Sequence, residues 1–481
     1  MNRSRATFAI VFPLTILVAC RQTPGTDPRM VAEWMRALYG SVRAERLSPP
    51  VVSRLLGYAA VTLHEGLAVG SDGPPSLAGA LNGLPGLPRG DTGTQYDGTL
   101  AAAEAERVVL DSMLAEALPS TRASLDGLMD SLTRARAALG VAEATQARST
   151  ELGHRIGLAI VAWSRTDGYD STRGRPYAAP VGPGLWVSDA PGSTYASQNL
   201  SGASDFVALD NPANTLRPGS ASDRGLIMNR PKRRGLTNLM PVNMAGVTEP
   251  HWGTIRPFML QSPNECPIPE PPAYSVEPAS PLYRAALEVY EIRKALSPED
   301  RTTALYWADN PGETGTPAGH WVAIASQMVG RGNLSASDAA RLFVVTAVAQ
   351  ADAFIAAWAY KFRFNLIRPR TYIRRVIDST WEPLISTPPF PEYPSGHSAL
   401  SAAAATGMTS LLGAQAFDDS TGIALGPTVR RFDSFLEAAN QAGHSRVLGG
   451  IHFELGNQGG RALGRCVGET IVRRLAVPRA P

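Results

Sequence analysis

The amino-acid sequence predicts an all-α protein, arranged as one or two helical bundles. Long stretches carry apolar residues at helical spacing, Pro or Gly breaks separate them, and strand-like alternation is sparse. The stretch 167–278 differs, because it is rich in Pro, Gly, Ser and Asn and keeps no long helical period. It also carries aromatic residues, so we expect an ordered irregular excursion that wraps over the helices rather than a simple linker.

Composition sets limits on the class of protein. A chain of 481 residues with 44% hydrophobic residues can bury a large core. The formal net charge is +3, only 18% of the residues are charged, and there are no basic runs. These features argue against a nucleic-acid-binding protein.

The N-terminus has the pattern of a bacterial export signal. Arg3 and Arg5 precede an apolar run at 6–18 that is too short to span a bilayer comfortably. The run ends in Leu-Val-Ala before Cys20, which resembles a lipobox whose cysteine is lipidated. The alternative is a plain signal peptide with a chance cysteine. We expect an exported protein of the cell envelope, facing the periplasm and held to the membrane by a lipid anchor only.

The predicted organisation is a signal peptide at 1–19, a tether at 20–27 and a single domain at 28–481. After lipidation of Cys20, only Cys266 and Cys466 remain. In an oxidising compartment they can form a disulfide, although two separate buried thiols fit the sequence equally well.

Capping residues and prolines predict the helix boundaries. Helix starts are predicted at Asp27-Pro28, Ser48-Pro49 and Ser280-Pro281, and a capping box at Ser297 with Asp300 predicts another. Further predictions are a loop at 70–98, helices over 100–166 with breaks at Pro119 and Gly140, a long apolar helix at 335–363, and helices at 400–412, 427–443 and 459–475.

A helix start is also predicted within 394–397, the run Pro-Ser-Gly-His. Proline cannot lie inside the helix, and Ser395 is a good N-cap. The free N–H groups of a helix start bind oxyanions, glycine permits close approach, and His397 can carry a proton. The run is therefore either a site for a phosphate-like anion or an ordinary loop-to-helix junction with a solvated histidine.

Two flanking segments favour the anion site. Upstream, Lys361 lies seven positions before the pair Arg368-Pro369, and downstream Arg446 lies six positions before His452. Together with the Pro-Ser-Gly-His run, they resemble the three-part signature of vanadium-dependent haloperoxidases and the phosphatidic acid phosphatase type 2 superfamily. The stretches 306–309 and 317–321 also resemble bacterial members of the haloperoxidase-like family.

This resemblance implies an all-α fold of the vanadium haloperoxidase type and vanadate as the cofactor. It makes His452 the ligand to vanadium and His397 the acid–base residue. Trp358 matches a tryptophan near the halide site of fungal chloroperoxidases, or is a core aromatic residue. The residues expected to hold the vanadate oxygens are Lys361, Arg368, Ser395, Gly396 and Arg446.

The implied reaction is the oxidation of halide by hydrogen peroxide to hypohalous acid, with vanadium acting as a Lewis acid. A small organic molecule is the further substrate that this chemistry allows. Two alternatives remain. An acid phosphatase would use His452 as the nucleophile, with a phosphohistidine intermediate and His397 protonating the leaving alcohol. A protein that is not an enzyme would be an envelope lipoprotein that binds an anion or a partner.

The sequence departs from the family signature at one position. The signature commonly has aspartate four residues after the final histidine, where this chain has Gly456. A nucleophilic histidine needs a carboxylate on its far nitrogen, whereas a metal ligand can use a main-chain carbonyl. The departure therefore favours the peroxidase and predicts that Gly456→Asp raises phosphate-ester hydrolysis relative to halide oxidation, provided that the backbone at 456 tolerates a side chain. No ligand partner for His320 is evident from the sequence, and we interpret this histidine as structural.

If Cys20 is the lipidation site, the mature wild-type protein will incorporate a radioactive fatty acid and fractionate with membranes. Cys20→Ser will abolish the label, because no thiol remains at the new N-terminus. Equal absence of label in both proteins would contradict lipidation.

Overall fold

Helices dominate the computed structural model, which describes residues 25–187, 247–422 and 429–476. The predicted signal peptide, Cys20 and the middle of the irregular excursion lie outside the described residues. The described parts of that excursion, residues 167–187 and 247–278, are mostly turns and irregular structure. They contain one short helix, Tyr169–Thr172, and one 3-10 helix, Trp252–Thr254. The predicted fold class, all-α with an irregular excursion, is confirmed.

Proline marks the starts of the second and fourth helices as predicted, whereas the third begins after Asp97, a residue of the predicted loop whose side chain accepts the N–H of Leu100 at 3.0 Å. Pro49 and Pro119 each occupy the first turn of a helix, where no N–H donor is needed. The elements of this half are α1 (Arg29–Glu45), α2 (Pro49–Leu67), α3 (Gly98–Met113), α4 (Pro119–Ala138), α5 (Glu143–Ser164) and α6 (Tyr169–Thr172).

Proline also occupies the first turn of helices in the second half. The predicted capping box is confirmed, because the side chains of Ser297 and Asp300 each accept the main-chain N–H of the other residue. Its helices are α7 (Pro281–Ala295), α8 (Pro298–Tyr306), α9 (Thr316–Gly330), α10 (Ala336–Phe364), α11 (Pro369–Val376), α12 (Gly396–Leu412), α13 (Phe435–Leu448) and α14 (Glu454–Arg474). Between α12 and α13, strands β1 (Phe417–Asp419) and β2 (Arg430–Phe432) pair antiparallel.

The helix predicted at 427–443 is wrong in its boundaries. Residues 430–432 form β2, where Phe432 pairs with Phe417, and helix α13 begins only after Ser434. The Ser434 side chain caps α13 by accepting the N–H of Glu437 at 3.1 Å. Helix α13 then continues to Leu448, so Arg446 lies within a helix and not after one. Residues 423–428 are outside the described ranges.

Helix α10 forms the centre of the core, between α2 and α12. It is the one helix of the described residues that is long and apolar enough to cross a membrane, but 94% of its most apolar 18-residue stretch is buried inside the protein. The surrounding helices therefore cover its apolar surface. Its C-terminal turn brings Lys361 to the interior.

Helices α12 and α14 approach each other very closely because glycines line the contact. A side chain at Gly464 would place its Cβ 2.0 Å from the carbonyl oxygen of Ala399, and one at Gly460 would lie 2.5 Å from that of Ser395. Helix α14 begins at Glu454 and not at 459 as predicted, because Gly456, Gly459 and Gly460 weaken the helical signal of the sequence near its start. The close contact fixes the start of α12 next to the loop that precedes α14.

The last part of the excursion is attached to the core by polar contacts and a covalent bond. The buried carboxylate of Asp352 accepts the main-chain N–H groups of residues 258, 259 and 260 at 2.6 to 2.9 Å. Cys266 and Cys466 form a disulfide across a sequence separation of 200 residues. The sequence was compatible with a disulfide or with two free thiols, and the structure shows the disulfide.

Removing either cysteine should destabilise the protein, because the disulfide closes a very long loop in the unfolded chain. Cys266→Ala, Cys466→Ala and the double variant should each lower the free energy of unfolding by about 2–5 kcal/mol. The midpoint of thermal unfolding measures the effect. The three variants should agree closely, since each breaks the same bond, and an unchanged midpoint would contradict a stabilising role.

Candidate active site

The three sequence motifs converge on one buried region. Lys361 comes from the last turn of α10, Arg368 from the residue that precedes α11, and Arg446 from the last turn of α13. All three side chains are buried. We call Lys361, Arg368 and Arg446 the cation cluster. The Pro-Ser-Gly-His run at the start of α12 and His452 in the loop before α14 complete the region.

Main-chain carbonyls hold the Lys361 ammonium in place. Its Nζ donates to the carbonyl oxygens of Pro391 and Glu392, each at 2.9 Å. Burial holds the pKa of Lys361 well below its usual range and the nearby Arg368 lowers it further, while Glu392 acts in the opposite direction. A bound anion would therefore favour the charged form of this lysine.

Arg368 connects the loop before α12 with the loop after α13. Its Nε donates to the carbonyl oxygen of Phe390 at 2.9 Å, and its Nη1 donates to that of Ile451 at 2.8 Å. The same Nη1 lies 3.1 Å from Nε2 of His452. Because a guanidinium only donates, Nε2 of His452 must be the acceptor in this contact.

The far nitrogen of His452 has a carboxylate partner that the motif pattern did not predict. Nδ1 of His452 lies 2.8 Å from Oε1 of Glu392, which also accepts the main-chain N–H of Phe453 at 3.0 Å. With Nδ1 as the donor and Nε2 as the acceptor, both contacts fit the neutral imidazole. Burial and the charges of the cation cluster hold the pKa of His452 well below its usual range, which also favours the neutral form. The lone pair of Nε2 therefore faces the cations.

The structure corrects the inference drawn from Gly456. The absence of aspartate at this position does not leave His452 without a carboxylate, because Glu392 supplies one from the loop before α12. A Cβ at Gly456 would lie 2.2 Å from Oε1 of Glu392, so the missing side chain provides the space that the glutamate occupies. Gly456→Asp would displace Glu392 and not add a partner. Both the preference for peroxidase based on Gly456 and the predicted gain in phosphatase activity lose their basis.

His397 and Arg446 share a main-chain contact. Nη1 of Arg446 donates to the carbonyl oxygen of Trp307 at 2.8 Å, and His397 also hydrogen-bonds to the main chain of Trp307. Burial, Arg446 and His320 hold the pKa of His397 well below its usual range. Within the described residues, Nε of Arg446 and Nε2 of His397 are buried atoms without a hydrogen-bond partner. These are donor and acceptor positions that a ligand can use.

Ser395, Gly396 and Trp358 lie at the edge of this region. Ser395 caps α12 by accepting the N–H of Ser398, and its own N–H donates to the carbonyl oxygen of Gly456 at 2.9 Å. A Cβ at Gly396 would meet Trp358 at an ordinary 3.4 Å, so packing does not by itself require a glycine there. The indole N–H of Trp358 donates to the carbonyl oxygen of Thr248 at 3.3 Å. The catalytic and binding roles of all these residues stay predictions.

Comparison with known proteins identifies the family. The crystal structure of the first bacterial vanadium-dependent iodoperoxidase is similar to this chain, with 31% sequence identity and a TM-score of 0.76; the alignment covers 96% of this chain and 99% of that chain. The chain belongs to the vanadium-dependent haloperoxidase family. The family model for the VCPO second helical-bundle domain also matches, over residues 341–478. No curated protein sequence gives a significant match.

More distant members share the fold. Holo and apo structures of a bacterial vanadium-dependent chloroperoxidase are each 16% identical to this chain. Their TM-scores are 0.57 and 0.53, with alignments over 94% and 95% of this chain and 93% and 96% of theirs. The resemblance inferred from the three motifs is confirmed, as is the expectation of an enzyme of the haloperoxidase kind. The alternative of a lipoprotein that only binds an anion or a partner is not favoured.

His320 has two partners that the sequence did not reveal. Its Nδ1 lies 3.0 Å from both carboxylate oxygens of Asp309, and its Nε2 lies 2.7 Å from Oδ2 of Asp419. The ring stacks on Trp307 with centroids 4.4 Å apart. Although burial lowers it, the two aspartates raise the pKa of His320 to about 10. In this haloperoxidase-family chain, His320 is therefore a buried imidazolium.

The raised pKa predicts how stability depends on pH. Because the folded protein holds the His320 proton more tightly than the unfolded chain, this stabilisation is complete below about pH 6.5 and disappears as the pH rises to about 10. The wild-type free energy of unfolding should fall across this range by up to about 4 kcal/mol more than that of His320→Gln. Denaturant titrations at a series of pH values measure the difference. Parallel pH profiles would contradict the charged state of His320.

Proposed function

We propose that this protein is a vanadate-dependent haloperoxidase that oxidises halide with hydrogen peroxide. The observation that carries the proposal is the convergence of the cation cluster on the neutral His452, whose Nε2 lone pair faces the cations. Halide and peroxide react with one proton to give hypohalous acid and water, and the two electrons pass from halide to peroxide. When bound, vanadate supplies the Lewis acidity that activates the peroxide.

The residues present fit a vanadate anion. The charge of Arg368 acts on both Lys361 and Arg446, and the acids that act on the three cations are Glu392, on Lys361 and Arg368, and Asp309, on Arg446. Each of these two carboxylates is itself bonded to a histidine. The region thus favours an anion, and the buried Nε of Arg446 can donate to one of its oxygens.

Some side chains of the site would bind the anion, and one histidine would transfer a proton. Nε2 of His452, which accepts from Nη1 of Arg368 in this structure, would exchange that hydrogen bond for vanadium, while Glu392 holds the imidazole in its tautomer. Lys361, Arg368, Arg446, the Ser395 hydroxyl and the Gly396 N–H would hold oxygens of the anion. His397, neutral and with Nε2 shielded from solvent, would take up a proton at Nε2 and deliver it to the reaction, which consumes one proton per turnover.

One observation supports the phosphatase as a second candidate. The Glu392–His452 pair has the arrangement of a nucleophilic histidine with its supporting carboxylate. In that reaction Nε2 of His452 would form a bond to phosphorus while the ester P–O bond breaks. His397 would protonate the leaving alcohol, and water would then release phosphate. The same cation cluster would stabilise the oxyanion.

Two assays separate the candidates. Vanadate-loaded protein is given peroxide with iodide, bromide or chloride separately, and vanadate-free protein is given a chromogenic phosphate ester. Halide oxidation that depends on vanadate supports the proposal. Efficient ester hydrolysis with no halide oxidation at any pH would transfer the assignment to the phosphatase.

We also propose that the enzyme is exported and held at the cell envelope through a lipid on Cys20. The Leu-Val-Ala-Cys junction supports this location. The Cys266–Cys466 disulfide supports it independently, because such bonds persist in oxidising compartments.

Single substitutions should weaken vanadate binding to an extent set by the interaction that each one removes. Arg368→Ala and His452→Ala each delete a buried partner of the anion that should contribute about 1.5–3 kcal/mol, so the Kd should rise roughly ten- to a hundredfold. Glu392→Gln should also raise it about tenfold or more, because it removes the charge that supports His452. Isothermal titration calorimetry with the vanadate-free protein measures all three.

Glu454→Gln is the matched control, because Glu454 lies near His452 in sequence but bonds to Asn457 and Arg461 instead. Its Kd should equal that of the wild type. Unchanged affinity in His452→Ala would show that the ligand assignment is wrong, and equal weakening in the two glutamine variants would remove the specific role of Glu392.

A further inference from the structure

A buried acid lies close to Arg446 without pairing with it. Trp307, whose carbonyl oxygen accepts Nη1 of Arg446 at 2.8 Å, is two residues before Asp309. The negative charge of Asp309 acts on Arg446, and both side chains are only 4% exposed. Yet no salt bridge joins them in the described part of the chain, and Nε of Arg446 has no hydrogen-bond partner there.

The carboxylate of Asp309 can stay apart from Arg446 only if another group binds it. A buried carboxylate beside a buried guanidinium normally forms a two-pronged ion pair with it, because neither group has water as an alternative. Here both oxygens of Asp309 lie 3.0 Å from Nδ1 of His320. The carboxylate therefore points to the imidazolium and leaves the guanidinium unpaired on its Nε side.

His320 is itself fixed from two further directions. Its Nε2 lies 2.7 Å from Oδ2 of Asp419 at the end of β1, and its ring stacks on Trp307. Asp419 in turn accepts the main-chain N–H of Thr421 at 2.9 Å. These contacts prevent the imidazolium from rotating away, so Asp309 keeps a fixed partner.

We propose that His320 is a positioning residue that holds the carboxylate of Asp309 away from Arg446, so that the guanidinium remains available to an oxyanion. The inference rests on the proposed function, since the oxyanion is the vanadate of that proposal. It explains why a histidine outside the three motifs is buried between two aspartates next to the cation cluster. Without His320, Asp309 would pair with Arg446 and compete with the anion.

The proposal makes a prediction that a purely structural role does not make. If His320 only stabilises the fold, removing a second buried partner must add damage. If His320 restrains Asp309, removing the acid must repair the weakening caused by removing the histidine. Asp309→Asn keeps the shape and an amide oxygen that can still accept from His320, but removes the charge that would compete for Arg446.

The experiment measures the Kd for vanadate by calorimetry on the full mature protein after removal of bound vanadate. The variants are His320→Gln, Asp309→Asn and their combination, with folding checked by circular dichroism and thermal unfolding. His320→Gln should weaken binding about tenfold or more, because Arg446 no longer gives the anion its charge-assisted hydrogen bond. The double variant His320→Gln/Asp309→Asn should recover to within roughly threefold of the wild type.

The other aspartate provides the matched control. Asp419 contacts the same imidazole, but Asp309 is the acid whose charge acts on Arg446. His320→Gln/Asp419→Asn should therefore bind vanadate as weakly as His320→Gln alone. Equal recovery with either aspartate change would overturn the proposal, and so would recovery with neither.

Two further outcomes keep the tests distinct. If wild type binds no vanadate, the proposed function fails and the inference fails with it. If wild type binds and His320→Gln binds equally well, only the inference fails. If His320→Gln does not fold, the single variant Asp309→Asn tests the proposal. A Kd for vanadate equal to or lower than that of the wild type supports the proposal, and a higher Kd overturns it.

Discussion

Mutual repulsion among three buried cations is the constraint on which the rest of the site depends. Lys361, Arg368 and Arg446 are removed from water, and the charge of Arg368 disfavours the charged forms of both Lys361 and Arg446. The fold compensates this mainly with main-chain carbonyls and not with carboxylates. The carbonyl oxygens that accept from the cluster belong to residues 307, 390, 391, 392 and 451.

All five carbonyls belong to residues outside helical hydrogen-bonding ladders, in loops or at a helix end. Inside a helix a carbonyl oxygen is already engaged with the N–H four residues later, so it is a poor partner for a side-chain cation. This explains why a mostly helical protein builds its site where helices end. Dipoles fixed in this way hold positive charge in place without neutralising it, which leaves the region able to bind an anion.

The two acids that act on the cluster are each bonded to a histidine. Glu392 bonds to His452 and Asp309 bonds to His320. In the first pair burial and the surrounding cations lower the pKa of His452 and keep it neutral, whereas in the second pair two aspartates raise the pKa of His320 and keep it charged despite its burial. Each histidine thus directs a carboxylate, and the positive field of the cluster is reduced but not cancelled.

The scaffold holds these loops in place through short-range packing. Glycines at 460 and 464 bring α14 against α12, which sets the distance between His452 and the start of α12. The central helix α10 carries Lys361 on one turn and Asp352 on another, so the same rigid element supports the site and anchors the excursion. Sites on rigid elements keep their geometry better than sites on free loops.

The sequence by itself determined the helical class, the helix boundaries marked by proline and serine caps, and the three motifs that reveal the family. These are local signals, because a helix cap, a helix break or a motif can be recognised from a few consecutive residues. It did not determine β2 or the start of α14, where strand pairing and glycine packing override local propensity.

Only the tertiary structure decided which groups support the two histidines. Glu392 lies 60 residues before His452, and Asp419 lies 99 residues after His320, so no local spacing indicates either contact. Glu392 directly precedes the Tyr-Pro-Ser-Gly-His run in the loop before α12, but its role follows from the space left by Gly456 on α14. The sequence could show that aspartate is missing there. It could not show that a different carboxylate fills the space, because that depends on how closely the loop before α12 packs against α14.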